Sequence, residues 1–206
     1  MVGPRDTRVR YPAGKRAPYG VAAFLVSYLA FLPLAAWKYQ SLLASAQFEL
    51  SSFTLSLTDV LAPSVVSTPV AAGHLFYNAQ LVPLSVPVST GAQFRASIAI
   101  NLLLESGGLP LLFLLIPAVV YTVAGALATR DIDTTFGMRR AKKAALLFTG
   151  TAPLGLFGAF LLRVPGEGGT IMPSILWATF SAGVIYPAFF AGLGGYLAVV
   201  RSRRRD

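Results

Sequence analysis

Residues 174–200 read SILWATFSAGVIYPAFFAGLGGYLAVV and contain no Asp, Glu, Lys, Arg or His. A helix needs about 20 predominantly apolar residues to cross the hydrocarbon core of a bilayer, so this stretch is long enough to do so. The run ends at Arg201, and three more arginines follow before the chain ends. An apolar run of this length with a basic flank is typical of a transmembrane helix and its cytoplasmic end.

Three other stretches share this character, at residues 20–37, 109–129 and 144–162. Backbone N–H and C=O groups have to be paired in lipid, which favours helices. The sequence therefore predicts an all-α membrane protein with four transmembrane helices. Their predicted bounds are 20–37, 107–129, 144–162 and 174–200.

The composition of the whole chain agrees with this class. Of the 206 residues, 55% are hydrophobic and 12% are charged, and the mean hydropathy is +0.65. The charged share is about half that of soluble domains, so a soluble enzyme, a disordered tail and a nucleic-acid-binding module are all disfavoured. The chain has no cysteine, which excludes disulfides and thiolate metal sites.

The basic residues predict the orientation. Fourteen of the 17 Lys and Arg residues lie in three segments, 1–19, 130–143 and 201–206. Four crossings place these segments on one face, which the positive-inside rule makes cytoplasmic. We expect a multi-pass protein of the cell membrane with both termini in the cytoplasm and with 38–106 and 163–173 outside. Anionic headgroups are the expected partners of the basic segments, and nucleic acid is not.

Two alternatives remain open at the N-terminal side. Ala44-Ser45-Ala46 fits the cleavage site of a signal peptide, although the preceding apolar run is longer than usual for one. Two additional crossings within 38–106 would also keep the three basic segments on one face, whereas a single one would not.

The segment 38–106 is predicted to form a partly ordered extracellular cap. Apolar residues at three- and four-residue steps from Leu43 to Val60 favour an amphipathic helix. Four prolines between residues 63 and 87 argue against a long regular helix there. Alternation at residues 84–89 indicates a short strand, and Ser97–Leu104 fits either a strand or an extension of the second helix.

Chemically active groups are scarce. No ionisable residue lies in a predicted helix, which weighs against a proton-coupled transporter. His74 is the only histidine, and a metal site needs several ligands of suitable type. We therefore expect no catalysis, no metal and no cofactor. Hydroxyl side chains and an interior proline in each predicted helix, namely Pro33, Pro117, Pro153 and Pro187, keep a transporter or channel open as an alternative.

The cap contains the residues most suited to specific interactions. These are His74, Phe76, Tyr77, Asn78 and Gln80. We expect Phe76 and Tyr77 to be anchored against the outer helix ends, in a chain without a regular helix. Asn78 should then be buried and bond to the backbone.

Small residues in the last apolar run predict close helix packing. Ala188, Gly192 and Gly195 recur at three- and four-residue steps, which allows backbones to approach. This candidate seam serves either the bundle itself or a second copy of the chain.

The motif Gly73-His74-Leu75-Phe76-Tyr77-Asn78-Ala79-Gln80 resembles that of an uncharacterised family of haloarchaeal four-span membrane proteins. That family carries an extracellular Phe-Tyr-Asn-Ala, often followed by His, where this chain has Gln80. The first apolar run is also similar. The resemblance implies an archaeal cell membrane and a four-span layout, and it brings no known activity.

The sequence thus favours a non-enzymatic membrane protein acting as a structural, assembly or accessory subunit. A partner protein or a homo-oligomer is expected. The alternative is a transporter or channel component whose pore is lined by hydroxyls and kinked helices.

Overall fold

Four helical stretches are long and apolar enough to cross a membrane. They are span 1 (Ala17–Ser45), span 2 (Leu111–Ala128), span 3 (Gly137–Leu161) and span 4 (Ile175–Val200). The structure, a computed structural model, describes residues 15–45, 47–50, 53–56, 66–89, 95–106, 109–132, 137–166 and 169–203. The four predicted transmembrane helices therefore correspond to four apolar helices.

The elements follow one another in chain order. They are α1 (Ala17–Ser45), β1 (Gln47–Leu50), β2 (Phe53–Ser56), α2 (Thr68–Asn78), β3 (Leu84–Ser89), β4 (Arg95–Ile100), α3 (Leu102–Ser106), a 3₁₀-helix (Leu109–Leu114), α4 (Leu115–Ala128), α5 (Gly137–Ala145), α6 (Phe148–Leu161), β5 (Val164–Gly166), β6 (Gly169–Pro173), α7 (Ile175–Trp177), a π-helix (Ala178–Ile185) and α8 (Tyr186–Arg203). Span 3 consists of α5 and α6, and span 4 runs through α7, the π-helix and α8.

The outward faces of the spans are apolar. Between 28% and 39% of each span's most apolar window is buried within the chain. Leu29, Val119, Phe157 and Phe189 are among the large side chains left exposed, one from each span. Apolar surface on this scale is costly in water and is at no disadvantage against lipid tails, so the surface of the spans fits a bilayer.

Proline shapes span 4. Pro187 has no N–H and cannot donate to the carbonyl of Gly183 four residues earlier. The Oγ1 of Thr151 in span 3 donates to that carbonyl at 2.6 Å. The π-helix ends immediately before Tyr186-Pro187, so the irregular turn lies where the regular bonding of an α-helix is interrupted. Spans 3 and 4 are joined here by a side chain.

The prediction of an all-α fold was wrong in one respect. An antiparallel sheet of four strands, in the order β4-β3-β6-β5, joins the two predicted extracellular segments. Leu84 and Ser85 of β3 pair with Pro173 and Met172 of β6. The predicted turn between spans 3 and 4 thus contributes the hairpin β5–β6. We call the end of the spans that carries this sheet the sheet end.

The predicted amphipathic helix over residues 43–60 is also wrong over residues 47–50 and 53–56, while residues 46, 51–52 and 57–60 lie outside the described residues. Span 1 continues as a helix to Ser45, and β1 and β2 then form a hairpin. Its register pairs Phe48 with Leu55 and Leu50 with Phe53. Apolar residues in this segment fit a period of two as well as a helical period, and the hairpin uses the former.

Of the remaining predictions for the cap, some are confirmed and others are wrong. The strand at 84–89 is confirmed as β3. Ser97–Leu104 is divided between β4 and the short helix α3 rather than extending span 2. The expectation that His74–Gln80 lies outside any regular helix was wrong, because α2 spans Thr68–Asn78. Its prolines do not interrupt it: Pro69 lies in the first turn, where an N–H is not needed, and Pro83 follows its end.

The opposite end of the spans is the basic end. It comprises the start of span 1, the end of span 2, α5 and the end of α8. The cations at this end whose side chains are described are Lys15, Arg16, Arg130, Arg139, Arg140, Lys142 and Lys143. Antiparallel neighbours thus bring cations that are distant in sequence to one end of the bundle.

Candidate functional site

Helix α2 lies between the spans rather than upon their ends. Every residue from Ala71 to Gln80 is buried. Its neighbours come from span 1, span 3 and span 4, as the contacts below show. A helix with all of its faces covered is part of a core. We call His74, Phe76, Tyr77, Asn78 and Gln80 the α2 site.

Phe76 is the apolar anchor of this site and is fully buried. Its ring lies 4.7 Å from the ring of Phe24, in an edge-to-face arrangement. Tyr28 and Phe31 of the same span each place their rings 6.2 Å from it. Edge-to-face pairs at these distances add to the energy of burial. Phe76 therefore fixes α2 against span 1.

Tyr77 fixes α2 against span 3. Its hydroxyl donates to the carbonyl of Gly155 at 2.7 Å. A Cβ added at Gly158 would lie 2.5 Å from this hydroxyl, so a residue without a side chain makes room for it. The aromatic body is buried and its polar tip finds a carbonyl, as the amphipathic ring requires.

His74 bridges span 1 and span 3 near the sheet end. Its Nε2 lies 2.9 Å from the carbonyl oxygen of Leu162, and its Nδ1 lies 2.7 Å from the hydroxyl of Tyr39. A carbonyl can only accept, so Nε2 carries the proton and Nδ1 accepts from Tyr39. Burial lowers the pKa of His74 to about 4, while the bond to Leu162 acts in the opposite direction. The ring is therefore neutral at pH 7.

Asn78 ties the end of α2 to the start of α3. Its Nδ2 donates to the carbonyl of Val82 at 2.8 Å, and its Oδ1 accepts from the N–H of Leu102 at 2.9 Å. Asn101 Nδ2 donates to the carbonyl of Asn78 at 2.9 Å. The prediction that Asn78 is buried and bonds to the backbone is confirmed.

Gln80 and Leu81 close the helix. The N–H of Val82 donates to the carbonyl of Tyr77, and the N–H of Leu81 donates to that of Asn78. This pair of bonds is the Schellman motif, in which glycine is the usual residue at the left-handed position. Leu81 occupies that position with φ 61°. Ser181 of span 4 donates to the carbonyl of Gln80 at 2.7 Å, which fixes the turn to a third span.

The small residues of span 4 lie at contacts within the chain. A Cβ added at Gly195 would lie 2.8 Å from the Cβ of Ala144 and 2.9 Å from the carbonyl oxygen of Arg140 in α5. Gly192 faces the same helix with more room, its nearest atom being the Ala141 carbonyl oxygen at 3.6 Å. Ala188 is half-buried. The expectation that Gly192 and Gly195 lie at a helix–helix contact is confirmed, and this contact joins span 3 to span 4.

Two glycines make tighter contacts, and sequence reasoning missed one of them, Gly125. Gly125 of span 2 approaches the backbone of Ala191, and Gly194 approaches the backbone of Thr122. Together they join span 2 to span 4. Gly125 has no Gly or Ala four positions away, so the spacing of these two residue types gave no signal for it.

The side chains of the α2 site fix α2 to the neighbouring spans, and few of them are suited to catalysis or metal binding. Among the described residues, no group of three or more His, Asp or Glu lies together as metal ligands would. The hydrogen-bonding atoms of His74, Tyr77 and Asn78 are directed at carbonyls, at a hydroxyl or at a backbone N–H. Tyr39, Asn101 and Ser181 are partners that sequence reasoning missed, because each contact joins residues 23 or more positions apart.

Four apolar helices with lipid-compatible faces, and an interior fixed by an inserted helix, define a multi-pass helical membrane protein. The chain belongs to the family of unknown function DUF7978, which matches residues 4–202. No curated protein matches the chain, and no solved structure does.

Proposed function

We propose that this protein is a non-enzymatic structural, assembly or accessory subunit of the cell membrane. Both termini and residues 130–143 face the cytoplasm in this proposal, and the sheet end faces outward. An archaeal, and specifically haloarchaeal, membrane is the setting that the motif around Phe76 implies. The partner is another membrane protein or a second copy of the chain.

The observation that carries the proposal is the filling of the interior by α2. Leu75, Phe76 and Tyr77 occupy the space between span 1 and span 3 and are almost completely buried. Most of the polar groups around them form hydrogen bonds to the backbone. Such an interior supports a fixed shape presented to a partner rather than a path for a solute.

Photo-crosslinking tests the accessory role directly. A photo-crosslinking amino acid at Ala99, which is exposed on β4, should give one recurring protein adduct in native membranes. The matched control is the same amino acid at Phe157, which is exposed on the outer face of span 3. It should give lipid adducts alone. Absence of any protein adduct from both positions would contradict the proposal.

A transporter or channel component is the second candidate, and one observation favours it. Ser27 Oγ, Gln80 Oε1 and Tyr121 Oη are buried and have no hydrogen-bond partner within the described part of the chain. Buried polar atoms of this kind are commonly satisfied by ordered water. Ordered water at these three groups, which come from span 1, the turn after α2 and span 2, would bring polar points into the interior that a solute path needs.

Flux measurements separate the two candidates. The full chain in liposomes, monitored with a potential-sensitive dye under K⁺ and Cl⁻ gradients, should give the same flux as protein-free liposomes. Ser27→Ala and Tyr121→Phe should leave that flux unchanged. A protein-dependent flux that these substitutions reduce would overturn the structural role in favour of the second candidate.

A further inference from the structure

The four-stranded sheet at the sheet end has two edges, and they differ in their capacity to accept another strand. β5 forms one edge, and it is three residues long with Pro165 at its centre. Short strands and proline protect a sheet edge, because proline has no N–H to donate. β4 forms the other edge, and it is six residues long, reads RASIAI and contains no proline. The edge at β4 is therefore the one suited to further pairing.

The register shows which backbone groups of β4 face this edge. The N–H of Ser174 donates to the carbonyl of Pro83, directly before β3, at 2.9 Å, so Pro83 faces the side of β6. Successive residues of an antiparallel strand direct their N–H and C=O groups to opposite sides. The even-numbered residues of β3 therefore face β4, where their partners are also even-numbered. The backbone groups of Ser97 and Ala99 consequently point to the open side, where the described part of the chain contributes no strand.

The side chains at this edge leave room for a neighbouring chain. Ser97 and Ala99 are small, uncharged and exposed. Ile98 lies on the opposite face of β4, where it packs against the core and yet remains only half-buried. Arg95, at the start of β4, is the one charged residue of the strand, although charges are a usual protection of exposed edges. A strand beside β4 would meet no charge along residues 97–100 and would cover the rest of Ile98.

A second copy of the chain fits this edge because two copies in one membrane keep the same orientation. Leu84, Val86 and Ile100 are buried in the same core as the spans, whereas Ser97 and Ala99 are exposed on the other face of the sheet. Two copies of β4 that pair antiparallel about a twofold axis perpendicular to the sheet keep their buried faces on the same side. Since the buried face is turned to the spans, this axis follows the membrane normal, as a symmetric dimer in one bilayer requires.

We propose that β4 pairs antiparallel with β4 of a second copy, so that the two four-stranded sheets become one continuous sheet. The twofold axis passes through Ile98. Ser97 of each copy then lies opposite Ala99 of the other and exchanges backbone hydrogen bonds with it. The two Ile98 side chains meet on the buried face and cover each other. This inference rests on the proposed accessory role, for which it names the partner.

Cysteine crosslinking of the full chain in native membranes tests the pairing. The chain has no cysteine, so Ala99→Cys provides one thiol per copy. The two positions are diagonal neighbours across the axis, at about 7–8 Å, and a short bis-maleimide should join them into a covalent dimer. The matched control is Thr170→Cys, which is exposed on the same sheet but lies on the inner strand β6. It should give no more dimer than the cysteine-free chain.

Proline at the edge tests the backbone hydrogen bonds of the pairing. Ser97→Cys/Ala99→Pro removes an N–H that points away from β3, so the ladder within each copy should be kept and the crosslinked dimer lost. Ser97→Cys/Ala99→Gly keeps this N–H and should keep the dimer. Thermal unfolding in detergent checks that both variants are folded.

Three results would overturn the pairing. The first is a dimer from Thr170→Cys as abundant as that from Ala99→Cys, and the second is a dimer that persists in the folded Ala99→Pro variant. The third is the capture of a different protein by the photo-crosslinking amino acid at Ala99 without any dimer from Ala99→Cys, which leaves the accessory role intact. Absence of both the protein adduct and the dimer would refute the accessory role together with the pairing.

Discussion

His74 is held between the hydroxyl of Tyr39 and the carbonyl of Leu162, and this arrangement has a consequence for pH. Its pKa in the folded chain, about 4, lies below the ordinary value of 6.5. The neutral ring is therefore favoured by folding. The stability that this provides is fully present above pH 6.5 and is lost as the pH falls toward 4.

We predict that the wild-type chain loses up to about 2 kcal/mol of unfolding free energy between pH 7 and pH 5 through this group. His74→Gln keeps a donor for the Leu162 carbonyl but does not titrate. Thermal unfolding in detergent from pH 8 to pH 5 should therefore give a steeper decline for the wild type than for His74→Gln. Parallel curves for the two proteins would show that His74 is not the neutral buried group described above.

Leu81 is the second residue whose local geometry makes a prediction. A leucine at φ 61° places its Cβ close to the following carbonyl, which costs about 1 kcal/mol relative to glycine. Its side chain is 52% exposed, so truncation sacrifices little packing. Leu81→Gly should raise the unfolding free energy by about 1 kcal/mol.

The matched control is Leu81→Ala, which shortens the side chain but keeps the Cβ and hence the strain. It should give no such gain when both are compared by thermal unfolding. If Leu81→Gly is less stable than Leu81→Ala, the exposed leucine makes a contact that the geometry of the turn does not reveal.

At the scale of the element, span 4 depends on how closely its glycines approach the neighbouring helices. Gly195 and Gly192 lie three residues apart and face the same helix, α5. The first has neighbours within 3.0 Å of an added Cβ, and the second has none within 3.5 Å. The same substitution at the two positions therefore compares a position where an added methyl group has no room with one where it can be accommodated.

Gly195→Ala should lower the unfolding free energy by about 1–3 kcal/mol, because Ala144 and the α5 backbone would have to move. Gly192→Ala should be nearly neutral, or slightly stabilising since alanine favours helix. Thermal unfolding and size-exclusion chromatography in detergent measure stability and oligomeric state. Equal effects at both positions would refute the packing of α5 against α8.

The elements also show which structural features can be predicted from a single sequence. The spans follow from apolar length, which is a property of each segment alone. The sequence did not predict helix α2, because Pro69 and Pro83 are typical of helix breaks, although here both lie where a helix tolerates proline. The hairpin β1–β2 was missed because its apolar residues fit two periods.

The contacts of the α2 site could likewise be predicted only in part from the sequence. Burial of Phe76 and Tyr77 follows from their size, and the backbone bonds of Asn78 follow from its side chain. The hydrogen-bond partners of these residues cannot be predicted from the side chains alone, because the Tyr39–His74 and Gln80–Ser181 contacts arise from tertiary packing. The sheet is similar: β3 and β6 meet through two residue pairs that are distant in sequence.

At the scale of the whole molecule, the central claim is that four crossings separate a sheet end from a basic end. The four-stranded sheet lies at the first end, and the exposed cations Arg130, Arg139 and Lys142 lie at the second. Spans 1 to 4 run alternately in opposite directions, so every connection between them falls at one of these two ends.

Labelling of single cysteines tests this claim most directly, because the chain has none of its own. Thr170→Cys places a thiol on β6 at the sheet end, and Asp131→Cys places one at the basic end, both at exposed positions. A membrane-impermeant maleimide applied to intact cells should label the first and spare the second, and both should react once the membrane is permeabilised. Equal labelling of the two in intact cells would contradict the four-span arrangement, and labelling of Asp131→Cys alone would contradict its orientation.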